Sequence, residues 1–406
     1  MVASTARITT PQSGDPLRSP SRGQLPLLLV VLATAVAYAA IVGLSVHPYG
    51  GNLSSMIFAS QNGVKDYPGG LGHHIVVYRQ ASASYDGLSY YYVAGDPFLQ
   101  RRAYRDAFRY QRIGYPLAVW ATSLAQRAWR PAAMVGVNLA AVLAVAYLAG
   151  LIIRTFGEGR TSVWWALVCA LNPSLIIAVQ RDLGEPLMMA LSLGGLLLYL
   201  RRLPGWAALT FAGALLTRDA AILFLLPVVA AEFTKGRWRQ ALALALAVVP
   251  YAIWALVVAR ALGHGASATT QSNFGPPFAG IAEVVGEMRR ATPAHLLGWA
   301  SILAVAALEC VALTASIDGM RRRYDVVMGG IALHSVAAVL GSIAIWIGFP
   351  SAARVFGGLY PLAVFAFARH RGAAFGSIVG GVVALTVFTL FRYILHNPVL
   401  PYYLTP

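Results

Sequence analysis

Residues 27–46 read LLLVVLATAVAYAAIVGLSV, twenty residues without a charged side chain. That is the length at which an α-helix crosses the hydrocarbon core of a bilayer. Arg7, Arg18 and Arg22 precede the run, and Ala37-Tyr38-Ala39 offers a small-x-small site of the kind that ends a secretory leader. The apolar run continues past that site, so it reads as an uncleaved anchor. Residues 1–24, rich in Ser, Thr, Pro and Gly, read as a disordered cytoplasmic N-terminus.

The rest of the chain repeats the pattern. Further apolar blocks lie at 132–153, 161–179, 187–200, 206–216 and 220–233. They continue at 241–258, 296–315, 326–347, 355–367 and 375–394. Of the 406 residues 58% are hydrophobic and 11% charged, whereas a soluble domain is about 25% charged. A single water-facing core is excluded. The expectation is an all-α polytopic transmembrane bundle of about 11 helices in one multi-span domain, 25–406. Several blocks are shorter than a full span, notably the pair around Thr217-Arg218-Asp219, and broken helices are tolerated where they line a protein cavity. The net charge of +16 comes from basic residues scattered between the apolar blocks, which fits short cytoplasmic loops and anionic headgroups rather than nucleic acid. Cys169 and Cys310 both fall inside apolar blocks, which supports neither a disulfide framework nor a cysteine zinc site.

Basic residues set the expected orientation. With the N-terminus inside and the C-terminus outside, the inner loops carry Arg154…Arg160, Arg201-Arg202, Lys235…Arg237…Arg239, Arg321-Arg322-Arg323 and Arg369…Arg371. The long loops 47–131 and 263–295 then lie on the exoplasmic side. This requires the segment 112–129 to lie along the surface as an amphipathic helix rather than cross. On that topology Asp86, the Arg181-Asp182-Leu183-Gly184-Glu185 connection, Arg218-Asp219 and Arg354 converge on the outer face. Ionisable groups at membrane-helix ends around a shared cavity are candidates for function.

The densest stretch is Tyr85-Asp86-Gly87-Leu88-Ser89-Tyr90-Tyr91-Tyr92-Val93-Ala94-Gly95-Asp96-Pro97-Phe98. Asp86 followed by glycine can approach a reacting group closely, and Tyr90 and Tyr91 offer surfaces suited to a sugar or to the membrane interface. Asp96-Pro97 reads more like a turn and ranks second. Downstream, Phe108-Arg109-Tyr110-Gln111-Arg112-Ile113-Gly114-Tyr115-Pro116 presents Arg112 at the start of the surface helix. The planar fork of arginine matches a phosphate. His73-His74 is the only histidine pair, with no carboxylate nearby at ligand spacing, so a divalent metal is not demanded. Glu309 stands alone in an apolar span and receives no role. No Walker pattern and no nucleophile elbow occurs, which argues against nucleotide-sugar use.

These motifs resemble the C-type integral-membrane glycosyltransferases (GT-C), in particular a bacterial branch tied to cell-surface glycopolymer formation. More remotely they resemble the glycosylphosphatidylinositol mannosyltransferases. The likeness continues in Asn172-Pro173, Arg181 to Pro186, Leu216 to Asp219, Arg354 and Tyr360-Pro361. It implies an inverting transfer of sugar from a polyprenyl-phosphate donor to a glycan, lipid or protein acceptor at the exoplasmic face of the plasma membrane. Asp86 matches the first-loop acid that serves such enzymes as general base. Arg112, Arg181, Arg218 and Arg354 become the donor-phosphate candidates, while Asp182, Glu185 and Asp219 compete to orient them or hold the acceptor. No cofactor is required. The alternative is a transporter or flippase, or a ligase, of lipid-linked glycans. The absence of visible internal repeats weighs against a carrier.

Overall fold

A computed structural model of the protein describes residues 21–65, 75–78, 81, 84–102, 104–157, 161–265, 273–289, 296–322 and 325–395. These residues are overwhelmingly helical. The helices are α1 (Ser21–Val46), α2 (Gln61–Lys65), α3 (Asp86–Val93), α4 (Ala107–Tyr110), α5 (Gly114–Thr122), α6 (Arg130–Gly157), α7 (Ala166–Ala170), α8 (Pro173–Gln180), α9 (Glu185–Leu200) and α10 (Pro204–Thr217). They continue with α11 (Ile222–Thr234), α12 (Trp238–Ala245), α13 (Val248–Leu262), α14 (Ala279–Met288), α15 (Leu296–Arg322), α16 (Val326–Val339), α17 (Ile343–Trp346), α18 (Phe349–Val355), α19 (Leu359–His370) and α20 (Ala373–Thr389). One two-residue parallel ladder pairs β1 (Ala59–Ser60) with β2 (Val77–Tyr78) in the first long loop.

Among the described residues five helical stretches are long and apolar enough to cross a membrane: Gln24–Tyr49, Arg130–Gly157, Trp238–Leu262, Leu296–Arg321 and Ala373–Leu395. Two bent pairs bring the number to seven if each is a single span: Val163–Ala170 with Pro173–Gln180, and Phe349–Val355 with Leu359–His370. The remaining apolar blocks form shorter helices such as α9 and α16, with 16 and 14 residues. At 1.5 Å per residue these reach only about 20–24 Å. Proline and asparagine set the breaks. Asn172 caps α8 by accepting from the Leu175 amide at 3.1 Å, with Pro173 in the first helical position where no N–H is needed. Pro186 and Pro204 open α9 and α10 in the same way. The block at 326–347 is interrupted after Val339, where the chain turns through residues 340–342 into α17.

α1 belongs to the body of the bundle. It buries Leu27, Val30, Tyr38 and Ile41, and the Tyr38 hydroxyl donates to the Ala170 carbonyl at 2.7 Å. Its helix begins at Ser21, ahead of the apolar run. α5 has nine residues, too few to cross. It buries Tyr115, Pro116 and Val119 against the bundle while Leu117 stays exposed.

The bundle has two polar ends joined by antiparallel helices. α9 starts at Glu185, α10 finishes at Thr217 and α11 follows Asp219, so these three termini meet at one end. Leu200, Pro204 and Thr234 mark the other ends of the same helices. Arg354 and Arg369, flanking α19, separate likewise. Small residues let the helices approach: a methyl on Gly195 of α9 would come within 2.9 Å of the Phe211 ring of α10. On Gly136 of α6 it would meet nothing within 4 Å. Gly195→Ala is therefore expected to destabilise by about 1–3 kcal/mol through overpacking. Gly136→Ala should be neutral or stabilise by up to about 1 kcal/mol. Thermal unfolding of the detergent-solubilised protein checks the opposite signs.

Candidate functional site

Asp86 opens α3, after Tyr85 in extended conformation. The following glycine is obligatory for packing. A methyl on Gly87 would lie 2.3 Å from the Arg181 carbonyl oxygen and 2.9 Å from that of Ile57. The Asp-Gly pair thus lets the first loop press directly against the connection that leads into α9.

From there a chain of opposite charges runs across the end of the bundle. The Asp86 carboxylate pairs with Arg109 at 2.7 Å and with Arg354 at 3.1 Å. The Arg354 Nε lies 3.2 Å from Glu185 Oε1, and the same oxygen receives Arg218. Beside this chain, Arg112 pairs with Asp219 at 2.9 Å and stacks over the Phe108 ring at 4.0 Å. Glu185, Arg218 and Arg354 are nearly devoid of solvent contact, whereas the Asp219 side chain is 47% exposed. Four guanidinium groups face Asp86, Glu185 and Asp219, and Arg109 also lies 3.8 Å from Asp106, so the charges of the network balance. Burial by itself would raise the pKa of Asp86. Arg109 and Arg354, then Arg112 and Arg218, overcome it and hold the carboxyl well below the ordinary aspartate range.

These groups line a cavity of about 350 Å³. Asp86, Arg109, Arg112, Arg218, Asp219 and Arg354 form its charged side. Ile222, Leu223, Ala337, Ile345, Val355 and Phe356 form an apolar side, with Asn273 and Phe274 at the margin. The 273–278 segment is tied there by backbone bonds, Gly275 N–H to the Leu340 carbonyl and Phe278 N–H to the Val339 carbonyl, both at 2.8 Å. The lining can therefore offer cations to an anion and apolar surface to a hydrocarbon.

Of the residues singled out in the sequence, Asp86, Arg112, Arg218, Asp219 and Arg354 meet in this cavity. Glu185 lies behind it as the carboxylate shared by two arginines. The others stand elsewhere. Arg181 is outside the cavity lining, with its guanidinium over Phe58 at 3.9 Å and toward Tyr85 at 5.8 Å. It shapes the support of Asp86 rather than the anion-facing wall. Asp182 is fully buried, with φ of 50°, and burial pushes its carboxyl well above the ordinary value while the Asn138 side chain opposes that shift. Tyr90 is buried edge-on against Tyr115 at 5.6 Å, and Tyr91 lies under the Arg130 guanidinium at 4.8 Å. Neither ring offers an open stacking face, but Tyr90 lies close enough to Arg109, Arg112, Arg218 and Arg354 to act on their charge. Asp96 accepts the amides of Gln100, Arg101 and Arg102 at 2.8–2.9 Å and so closes a turn.

Arg109 makes the shortest contact to Asp86 and was not among the residues chosen from sequence. Its position follows from Asp106, whose side chain accepts the Arg109 amide at 3.2 Å and starts α4. An Asp-x-x-Arg capping pattern was the available signal, but it lies in a segment crowded with arginines. His73-His74 lie outside the described residues. Among the described residues no group of three His, Cys, Asp or Glu side chains is arranged to hold a metal. No protein-family model, no curated protein and no solved structure matches the chain.

Removing one member of a buried ionic chain strands the others. Glu185→Ala should therefore cost roughly 3–5 kcal/mol of stability. Asp219→Ala, where the carboxylate is 47% exposed but Arg112 is buried, should cost less, about 1–2 kcal/mol. Parallel thermal unfolding of the two variants measures the difference.

Proposed function

We propose that the protein is an integral-membrane glycosyltransferase of the C type, moving a sugar from a polyprenyl-phosphate donor to a cell-envelope glycan, lipid or protein acceptor. One observation carries the reading: a carboxylate held between two arginines, in a cavity lined by four arginines, two aspartates and apolar side chains. The resemblance in the motifs around Asp86, Arg181 to Glu185 and Arg218-Asp219 supports the same reaction.

The chemistry follows from charge. A lipid-linked sugar phosphate brings an anion that competes with Asp86 for Arg109 and Arg354. Guanidinium forks that turn toward the phosphate release the carboxylate. Asp86 then takes the proton of an acceptor hydroxyl as that oxygen bonds to the anomeric carbon. The bond from that carbon to the phosphate oxygen breaks, and the electron pair leaves with the lipid phosphate. Arg112, Arg218 and Arg354 stabilise the charge gathering there, so no metal is needed for this step. A single displacement of this kind inverts the anomeric centre.

The same reading counts eleven traverses, with the short helices α9, α10, α11 and α16 completing the long ones, an inner N-terminus and an exoplasmic site in the plasma membrane. Support comes from the basic residues Arg201, Arg202, Lys235, Arg237 and Arg369, which gather at the bundle end opposite Asp86. A carrier is the second reading. The observation favouring it is Glu309, buried in α15 and accepting from Ser335 at 2.9 Å.

Asp86→Asn keeps shape and removes the base. Transfer from polyprenyl-phosphate sugars by purified protein, followed by mass analysis, is expected to fall at least about 100-fold. Transfer at the parent rate would sink the proposal. A dependence on pH follows from the lowered pKa of Asp86. Asp86 stays ionised throughout the neutral range, so its acidic limb in kcat/KM should lie below the usual aspartate value of about 3.9. When the donor draws the arginines away, the limb in kcat should move to higher pH. Rate profiles at saturating and limiting donor test that order.

A further inference from the structure

At the opposite end of α9, α10 and α11 lies a second polar centre. Cavities of about 780 and 530 Å³ share Tyr199, Leu200 and Lys235 and form one trough. Its cations are Arg202, Lys235, Arg237 and Arg369, its carboxylates Glu232 and Asp325.

The carboxylates are buried and organise the rim. Glu232, 2% exposed, accepts the Tyr199 hydroxyl and the Lys235 ammonium at 2.7 Å each. Lys235 also donates to the Tyr199 oxygen at 2.8 Å. Arg237 stands 3.7 Å from Glu232, beyond hydrogen-bond reach, and Arg369 pairs with Asp325. Side chains of Lys235, Arg237 and Arg369 remain 43–56% exposed. Four cations against two carboxylates leave two positive charges in excess, on groups that still face solvent. Around Asp86, by contrast, four guanidiniums meet four carboxylates, and the arginines are far less exposed.

Depth is marked independently. Trp206 and Trp238, 64% and 57% exposed, follow closely on the lining residues Pro204 and Arg237. Exposed tryptophans at the ends of apolar helices sit at headgroup level. Leu209 on α10, Leu242 on α12 and Leu246 just after it add exposed apolar surface beside them. Positive loops alone would need neither buried carboxylates that orient the cations nor a cavity of this size.

We infer that this trough is a binding site for a phosphate group, seated between Lys235, Arg237, Arg202 and Arg369, with an anionic phospholipid headgroup as the ligand the surroundings favour. The inference rests on the membrane-spanning reading of the helices and is independent of sugar transfer at Asp86.

The test uses the purified full chain in a neutral, uncharged detergent. Short-chain phosphatidylglycerol, short-chain phosphatidylcholine and inorganic phosphate are titrated separately, with tryptophan fluorescence and thermal unfolding as readouts. Phosphatidylglycerol is expected to bind saturably and raise the unfolding temperature, and phosphatidylcholine to bind at least about tenfold more weakly. Arg202→Ala with Arg237→Ala should weaken phosphatidylglycerol by about tenfold or more. Replacing both by Lys should restore part of the affinity. Arg101→Ala with Arg105→Ala, the same charge change in the first loop, should leave it unchanged. Saturation by phosphatidylglycerol but not by inorganic phosphate supports the site with a lipid headgroup as ligand. Saturation by both supports it with a free phosphoryl ligand. Equal response to the two lipids, or undiminished binding by the well-folded Arg202/Arg237 alanine variant, overturns it.

Discussion

Glu185 is where the architecture of the Asp86 end closes. One of its oxygens faces both Arg218 and Arg354, so the start of α9, the end of α10 and α18 are held to a single buried point. Arg354 then passes the constraint to Asp86 in the first loop. Charges removed from water at this depth must be matched, because an unmatched one would cost several kcal/mol. That requirement ties four remote segments together more specifically than apolar contact could. Apolar surfaces slide past one another at little cost in lipid, while a guanidinium and a carboxylate must meet at about 3 Å.

The two ends of the bundle use the same residue types to different effect. Around Asp86 the arginines are buried and nearly balanced, so the ionic chain is rigid and an incoming anion can enter only by exchanging with a carboxylate. Around Glu232 the carboxylates are buried but the cations are half exposed, so an anion can be added without displacing anything. Exchange suits a site where binding must change the state of a base. Addition suits a site that anchors.

Much of this could be read before any coordinates. Apolar run length announced the helical membrane protein, and the basic breaks separated the Asp86 end from the Lys235 end. The Asp86-Gly87 pair stood out, and the glycine proves to be the residue that permits contact with the Arg181 carbonyl. How the tyrosines beside it are used was not legible, because aromatic composition is the same for a stacking surface and for a packed wall. Tyr90 and Tyr91 face Tyr115 and Arg130. Asp182 and Arg181 adjoin Glu185 in sequence, yet the backbone turns between them, and only Glu185 reaches the arginines of the cavity.

Hydrophobic length and charge asymmetry are properties of contiguous residues, and so the chain by itself determined the helical character, the membrane setting and the two unlike ends. Which arginine serves which acid is a matter of how those ends pack. Asp86 meets Arg354 across 268 residues and Arg112 meets Asp219 across 107. No local spacing encodes such pairs. Only the tertiary structure could select Arg109 from a segment full of arginines, remove Arg181 from the cavity wall and give Glu185 two partners. Ion pairing depends on distance in space, which is set after the helices have come together.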